Sequence, residues 1–330
     1  MRPMAKKPNI STSLKIRLKF PLILSTLILL CSCSAYRGAV SWPEANTENN
    51  SSTFHSIPLY KAGKLILVKA EVNGEHGYLI FDTGAPGLVL NDQYFKNGRV
   101  DPNRQVSGVN GQLHPARVIS VRNLKLGNLG FKRQLADVMD LSHIEEKRKV
   151  KILGLLGVSL LQGEEVEIDL QRKVLRVFKT DKNGLRVQAK VATENKDLIT
   201  IPFRYRGHLI ELEAKINNRS YRIAFDTGSE ILLFDKYALL KDKIQTNILS
   251  KQELLSTGGS TSGIEVRELG EIDLGVTLKK VTTVAVDLKH LSDFDMYVDG
   301  FIGYDLMATG LVRINFKKRI VQIQPFLKAQ

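Results

Sequence analysis

Beyond residue 57 the chain alternates apolar and polar positions with a period of two over many short runs, the signature of half-buried strands. Residues 64–72 are one such run. Asn73-Gly74 follows, and then a second apolar run, which reads as a hairpin closed by a tight turn. Asn217-Asn218 stands at the corresponding place in the second half, and Asn also tolerates positive φ. Short strands are predicted at 117–126, 131–139, 165–168 and 174–178. Helical period is weak, confined to short pieces near 159–162 and 236–243. The pattern predicts an all-β fold.

The strands recur. With an offset of 144 residues, Ile57-Pro58-Leu59-Tyr60 falls on Ile201-Pro202-Phe203-Arg204, and Phe81-Asp82-Thr83-Gly84 falls on Phe225-Asp226-Thr227-Gly228. Further on the offset is 146: Gly154-Leu155-Leu156-Gly157 matches Gly300-Phe301-Ile302-Gly303, and Val166-Glu167-Ile168-Asp169 matches Val312-Arg313-Ile314-Asn315. The chain is therefore a duplicated unit, which predicts lobes at 57–180 and 201–330 joined by a linker at 181–200.

The repeat carries an acid in each copy. Asp-Thr-Gly alone is a weak signal; at equivalent positions of two repeats, each behind an apolar strand, it is a strong one. Hydrolysis of an amide by water needs a base for the water and an acid for the carbonyl oxygen or the leaving nitrogen. Two carboxylates about 3 Å apart cannot both ionise, so they share one proton and supply both roles. Gly84 and Gly228 lack a Cβ and let the backbone turn tightly enough to bring Asp82 and Asp226 together. Thr83 and Thr227 can bond their hydroxyls to the opposite strand. The copies differ at the next position, Ala85 against Ser229. A Ser229 hydroxyl donating to Asp226 would favour its ionised form and leave Asp82 as the proton carrier.

These motifs resemble the retropepsin-like and pepsin-like aspartic proteases, and the single-chain bacterial members in particular, over about 57–180 and 201–327. In that family two apolar residues and a glycine lie downstream of the aspartate and pack beneath the active loop; Leu155-Leu156-Gly157 and Phe301-Ile302-Gly303 match, with Gly157 and Gly303 as framework glycines. The resemblance implies two β-barrel lobes related by a pseudo-two-fold axis, an active site between them and a peptide or protein substrate. It implies no cofactor. It also implies a glycine-rich flap over the substrate, for which 107–111, with Gly108 and Gly111, and 257–263, with Gly258 and Gly259, are the candidates. Neither contains the tyrosine of the pepsin flap. Retroviral relatives carry one Asp-Thr-Gly and must dimerise, whereas this chain supplies both, so dimerisation is not required.

The N-terminus reads as an export signal. Lys6, Lys7, Lys15, Arg17 and Lys19 precede an apolar run at 20–30, too short for the ~20 residues of a spanning helix. The run ends Leu30-Cys31-Ser32-Cys33, which resembles a bacterial lipobox. Residues 1–32 are then a lipoprotein signal peptide, Cys33 the lipidated residue and 33–56 a polar tether. That places the protein in a bacterial cell envelope, anchored to a membrane and facing the periplasm or the exterior. The chain has 2 cysteines, both in this segment, so the exported body has no disulfide and must rely on its core. The formal charge of +14 overstates the basic character: removing residues 1–32 leaves 42 basic and 34 acidic residues, or +8.

Basic and acidic residues are interspersed and no recognition motif appears, which argues against nucleic acid. His55, His76, His114, His143, His208 and His290 stand singly, without the spacing of a zinc peptidase, and no metal is expected. Before the second glycine motif the first copy is basic at 143–149 and the second acidic at 293–299, which suggests cleft ends of opposite charge preference. The function expected is an aspartic endopeptidase. The alternatives are an idle peptide-binding lipoprotein that retains the fold, and a processing enzyme restricted to itself or one partner.

Overall fold

The computed structural model describes residues 22–23, 53–107, 113–187, 197–256, 259–294 and 296–326. Cys33 and the tether up to residue 52 lie outside them, as do Gly108, Gly111 and Gly258. The first half comprises β1 (Leu22–Ile23), β2 (Phe54–Ala62), β3 (Leu65–Val72), β4 (Glu75–Phe81), β5 (Leu88–Asn91), β6 (Arg99–Ser107), β7 (Leu113–Leu126), β8 (Leu129–Met139), α1 (Ser142–Arg148), β9 (Ile152–Leu156), β10 (Glu165–Asp169) and β11 (Val174–Phe178). The second comprises β12 (Ile199–Pro202), β13 (Arg204–Arg206), β14 (Leu209–Ile216), β15 (Arg219–Phe225), β16 (Leu232–Asp235), α2 (Lys236–Lys241), β17 (Thr246–Ser256), β18 (Gly259–Asp273), β19 (Thr277–Val286), β20 (Gly300–Ile302), α3 (Tyr304–Met307), β21 (Gly310–Asn315) and β22 (Ile320–Pro325). The fold is all-β in two lobes.

Each lobe closes on itself. Strands β3, β4, β9, β5, β8 and β7 pair in that order and β7 returns to β3 through Glu71 opposite Lys125; β14, β15, β20, β16, β19 and β18 repeat the circuit, closed by Lys215 opposite Asp273. Closure removes the sheet edges of both barrels. The expected hairpin turns are present: Asn73 and Gly74 have φ of 50° and 90°, and Asn217 and Asn218 have φ of 50° and 63°. Two adjacent positive φ values suit the right-handed twist of the flanking strands.

The lobes share a further sheet in the order β12, β22, β21, β10, β11, β2, in which β10 and β21 lie antiparallel at the centre. Glu167 of β10 faces Arg313 of β21, so the repeat meets itself across the boundary. Glu167 accepts from Arg176 (2.8 Å), Arg313 (2.9 Å) and Arg186 (3.2 Å), and Glu165 from Arg186 and Asn315, each at 2.6 Å. Burial opposes ionisation of Glu167, but the guanidinium groups of Arg313, Arg176 and Arg186 outweigh it and hold the carboxyl below its ordinary value. Arg186 belongs to the segment expected as linker; its start folds back, with Thr180 bridged to Arg186.

Two segments differ from the sequence reading. The basic stretch at 143–149 forms α1, whose Glu145 turns inward: Tyr94, Asn91 and the Ile152 N–H all donate to it. In the acidic stretch Asp299 pairs with Arg222. The charges that suggested opposed cleft preferences at Glu145, Arg148 and Asp299 are thus spent on contacts within the protein. Ser142–Arg148 escaped prediction because only Ile144 on it is buried, too little apolar surface to mark a helical face.

Candidate active site

In each lobe the strand that leads to the aspartate is buried on both faces. Leu79, Ile80 and Phe81 are inaccessible, as are Ile223, Ala224 and Phe225. This follows from the neighbours: β4 lies between β3 and parallel β9, and β15 between β14 and parallel β20. A strand with sheet partners on both sides and packing on both faces needs an unbroken apolar run. The chain then leaves the sheet at Asp82 and at Asp226, whose N–H groups still donate to Leu156 (3.1 Å) and Ile302 (2.8 Å).

The glycine motifs hold those exits. Gly157 passes so close to the Ala85–Gly87 turn that a Cβ would strike the Gly87 backbone, and its N–H donates to the Gly87 carbonyl at 3.0 Å. Gly303 lies as tightly against the Asp226 and Ser229 carbonyls. Both expected framework glycines sit directly under the aspartate loops.

The loops meet at the lobe boundary. Thr83 N–H donates to Thr227 Oγ1 and Thr227 N–H to Thr83 Oγ1, each at 3.0 Å; the Thr83 hydroxyl donates to the Phe225 carbonyl and the Thr227 hydroxyl to that of Phe81, each at 2.8 Å. Four reciprocal bonds between fully buried groups fix one loop against the other.

Asp82 and Asp226 are wholly buried side by side. Asp82 Oδ1 accepts from the N–H groups of Gly84 (2.9 Å) and Ala85 (3.2 Å), and Asp226 Oδ1 from those of Gly228 (2.8 Å) and Gly84 (3.2 Å). One N–H therefore serves both carboxylates. A Cβ on Gly84 would lie 2.7 Å from Asp226 Cγ, so only glycine permits the approach. The outer oxygens, Asp82 Oδ2 and Asp226 Oδ2, are buried and receive no hydrogen bond from outside the pair. Burial lifts both carboxyls above the ordinary range, and the repulsion of Asp226 adds to the rise at Asp82. The pair titrates as a unit.

Ser229 does not do what its type suggested. Its hydroxyl donates to the Ile231 carbonyl at 2.8 Å, two residues on, rather than to Asp226. An asymmetric donor is present at Asp82 instead, through the Ala85 N–H.

Residues 68–160 match the family model described as aspartyl protease. The matched stretch contains Asp82 and Gly157. No curated protein matches the chain. Among solved structures, the aspartic proteinase from Irpex lacteus is similar at 13% identity, with a TM-score of 0.49, covering 82% of this chain and 97% of that one. The aspartyl-protease match lies within the first lobe, and the second aspartate enters through the internal repeat.

Around the candidate flap segments the described strands pair: Ser107 of β6 with Leu113 of β7, and Ser256 of β17 with Gly259 of β18. Gly259 opens β18; Gly108, Gly111 and Gly258 lie outside the described residues. Among the described residues no group of three or more His, Cys, Asp or Glu side chains could hold a metal ion, and no helix is long and apolar enough to cross a membrane.

Two further contacts across the boundary were not foreseen. Glu230, next to Ser229, accepts from the Lys64 N–H at 2.6 Å and from Arg148 of α1. Its burial raises the carboxyl despite Arg148 and the Lys64 and Leu65 N–H groups. On the other side His208 Nε2 lies 2.8 Å from the Gly84 carbonyl. His208 and Lys64 are repeat equivalents at the offset of 144, a correspondence the alignment contained but a search for metal spacing passes over.

Proposed function

We propose that the protein is an aspartic endopeptidase in which one water is activated between Asp82 and Asp226. The observation that carries this reading is the pair itself: two adjoining buried carboxylates whose inner oxygens are held by backbone N–H groups while their outer oxygens take no hydrogen bond from the surrounding protein. With one proton on the pair, the ionised member takes a proton from water as its oxygen attacks the scissile carbonyl carbon. The protonated member gives its proton to the carbonyl oxygen. The resulting gem-diol collapses as a hydroxyl proton returns to the pair and the amide nitrogen is protonated, which breaks the C–N bond. The crossed threonine bonds keep the carboxylates in place through these transfers. One chain supplies both acids, so the site needs no second copy and no cofactor.

The substrate is an extended peptide or protein segment lying across the lobe boundary. A lipid on Cys33, followed by the tether, would hold the lobes at a bacterial envelope membrane; partition of the wild type into detergent, lost in Cys33→Ser, is the expected result there.

The decisive measurement compares the wild type with Asp82→Asn and Asp226→Asn on a peptide library at acidic and neutral pH. Turnover should fall by at least ~10³-fold in each variant, since removal of either half ends proton exchange. Equal turnover in all three would refute the aspartyl mechanism. Peptide binding by the wild type without cleavage would make the protein a binder.

A further inference from the structure

The pseudo-two-fold axis relates the turn before β3 to the turn before β14, and each turn reaches the opposite lobe's aspartate loop. They do so by different chemistry. The first turn offers the Lys64 N–H to the Glu230 side chain, and the second offers the His208 side chain to the Gly84 main chain. A carbonyl only accepts, so His208 Nε2 carries the proton. The carbonyl of Gly84 belongs to the same peptide unit as the N–H of Ala85, and that N–H donates to Asp82 Oδ1. A single rigid plane thus connects the imidazole of one lobe to the carboxylate of the other.

We propose that His208 is a positioning residue for the catalytic pair, orienting and polarising the Gly84–Ala85 peptide unit so that its N–H holds Asp82. Hydrogen bonds in series strengthen one another, so a donor at the carbonyl makes the N–H at the other end a better donor. Burial pushes the His208 imidazole down to about 4, against the opposing pull of the Gly84 carbonyl, so the group is neutral above that pH and brings no net charge to the pair. Around the Gly84 loop stand Asp226 and Glu230 from the second lobe, Arg148 from α1 and Lys64 from the turn before β3. Both lobes bond the N–H of this peptide unit to the main-chain carbonyl of the aspartate, Ala85 to Asp82 at 3.3 Å and Ser229 to Asp226 at 2.9 Å; the Ala85 N–H is shared in addition with Asp82 Oδ1 at 3.2 Å.

The inference rests on the aspartic-peptidase reading, and the test separates the two. Two variants of the full chain are needed: His208→Phe keeps a ring and removes the donor, and His208→Gln keeps a neutral donor. Carbon-13 titration of the aspartate carboxyls and steady-state kinetics are read on the wild type and both variants, with melting curves to verify folding. In His208→Phe the pair should titrate at higher pH, because its ionised form has lost support. There kcat should fall about five- to tenfold with KM within about twofold, the factor expected for one net hydrogen bond felt at the reacting groups. His208→Gln should restore both. Wild-type titration and kcat in His208→Phe overturn the proposal, as does a Gln variant as impaired as Phe. Should Phe not fold, His208→Leu, which also lacks the donor, is read in its place: a titration moved to higher pH supports the relay and a wild-type titration refutes it. If no protein cleaves peptide, the aspartic-peptidase reading fails, while the carboxyl titration still answers for His208.

Discussion

The hydroxyls of Thr83 and Thr227 each serve two partners, accepting one backbone N–H and donating to one backbone carbonyl, all buried. Valine has nearly the same shape and neither function. Thr227→Val therefore orphans the Thr83 N–H and the Phe81 carbonyl. It should cost about 2–6 kcal/mol, at about 1–3 kcal/mol for each of the two unpaired buried groups, and lower the melting temperature by several degrees in calorimetry. The aspartates set a second expectation. Both carboxyls are raised, chiefly by burial, so the form with one proton survives to higher pH than for exposed acids. On the proposed mechanism, activity should be lost as pH rises through the last deprotonation of the pair. The basic limb of kcat/KM should consequently lie above the usual carboxylate range, and a limb at or below pH 4 would contradict the burial argument. Because ionisation is disfavoured only in the folded state, the same groups make the fold less stable as pH rises from the unfolded toward the folded value.

Among the elements, those fixed by local rules were the legible ones. The Asn73-Gly74 hairpin, the apolar strands before each aspartate and the two glycine motifs follow from φ preference, alternation and repetition, and all appear where expected. Gly303 illustrates why: its site against the Asp226 and Ser229 carbonyls has no room for a side chain. Gly303→Ala should therefore lower stability by at least ~1–3 kcal/mol and abolish turnover, whereas Gly130→Ala, in open space on β8, should keep wild-type melting and activity. Long-range choices were not legible. The Ser229 hydroxyl was free in principle to reach Asp226 or a nearer carbonyl, and only the folded turn shows that Ile231 takes it. His208 gives no signal in its neighbours in sequence; its partner lies 124 positions away. Arg148 likewise becomes a boundary residue only once Glu145 has pinned α1 to Tyr94 and Asn91.

At the scale of the molecule, the lobes are joined by the aspartate loops at one level and by the β10–β21 sheet at another. Glu167 is the hinge of the second, facing Arg176, Arg186 and Arg313. Its folded pKa lies below the unfolded one, so its contribution is complete above the unfolded value and disappears as pH falls through the folded value. Glu167→Gln should lose about 1–3 kcal/mol at pH 7, because the partly buried guanidinium groups of Arg176 and Arg313 lose their anion while Arg186 keeps Glu165. The deficit should shrink as pH falls through the folded value, since the wild type is then being neutralised too; urea unfolding across an acid pH series tests this. Duplication left one more mark on the whole. A strictly two-fold slot would hold a peptide equally well pointing either way. Here Glu230 meets a backbone N–H on one flank and His208 meets a backbone carbonyl on the other, so the two directions of travel are not equivalent. On the proposed peptidase reading this slot would have a front and a back, and a bound chain's N-to-C sense would be distinguished before any of its side chains is read.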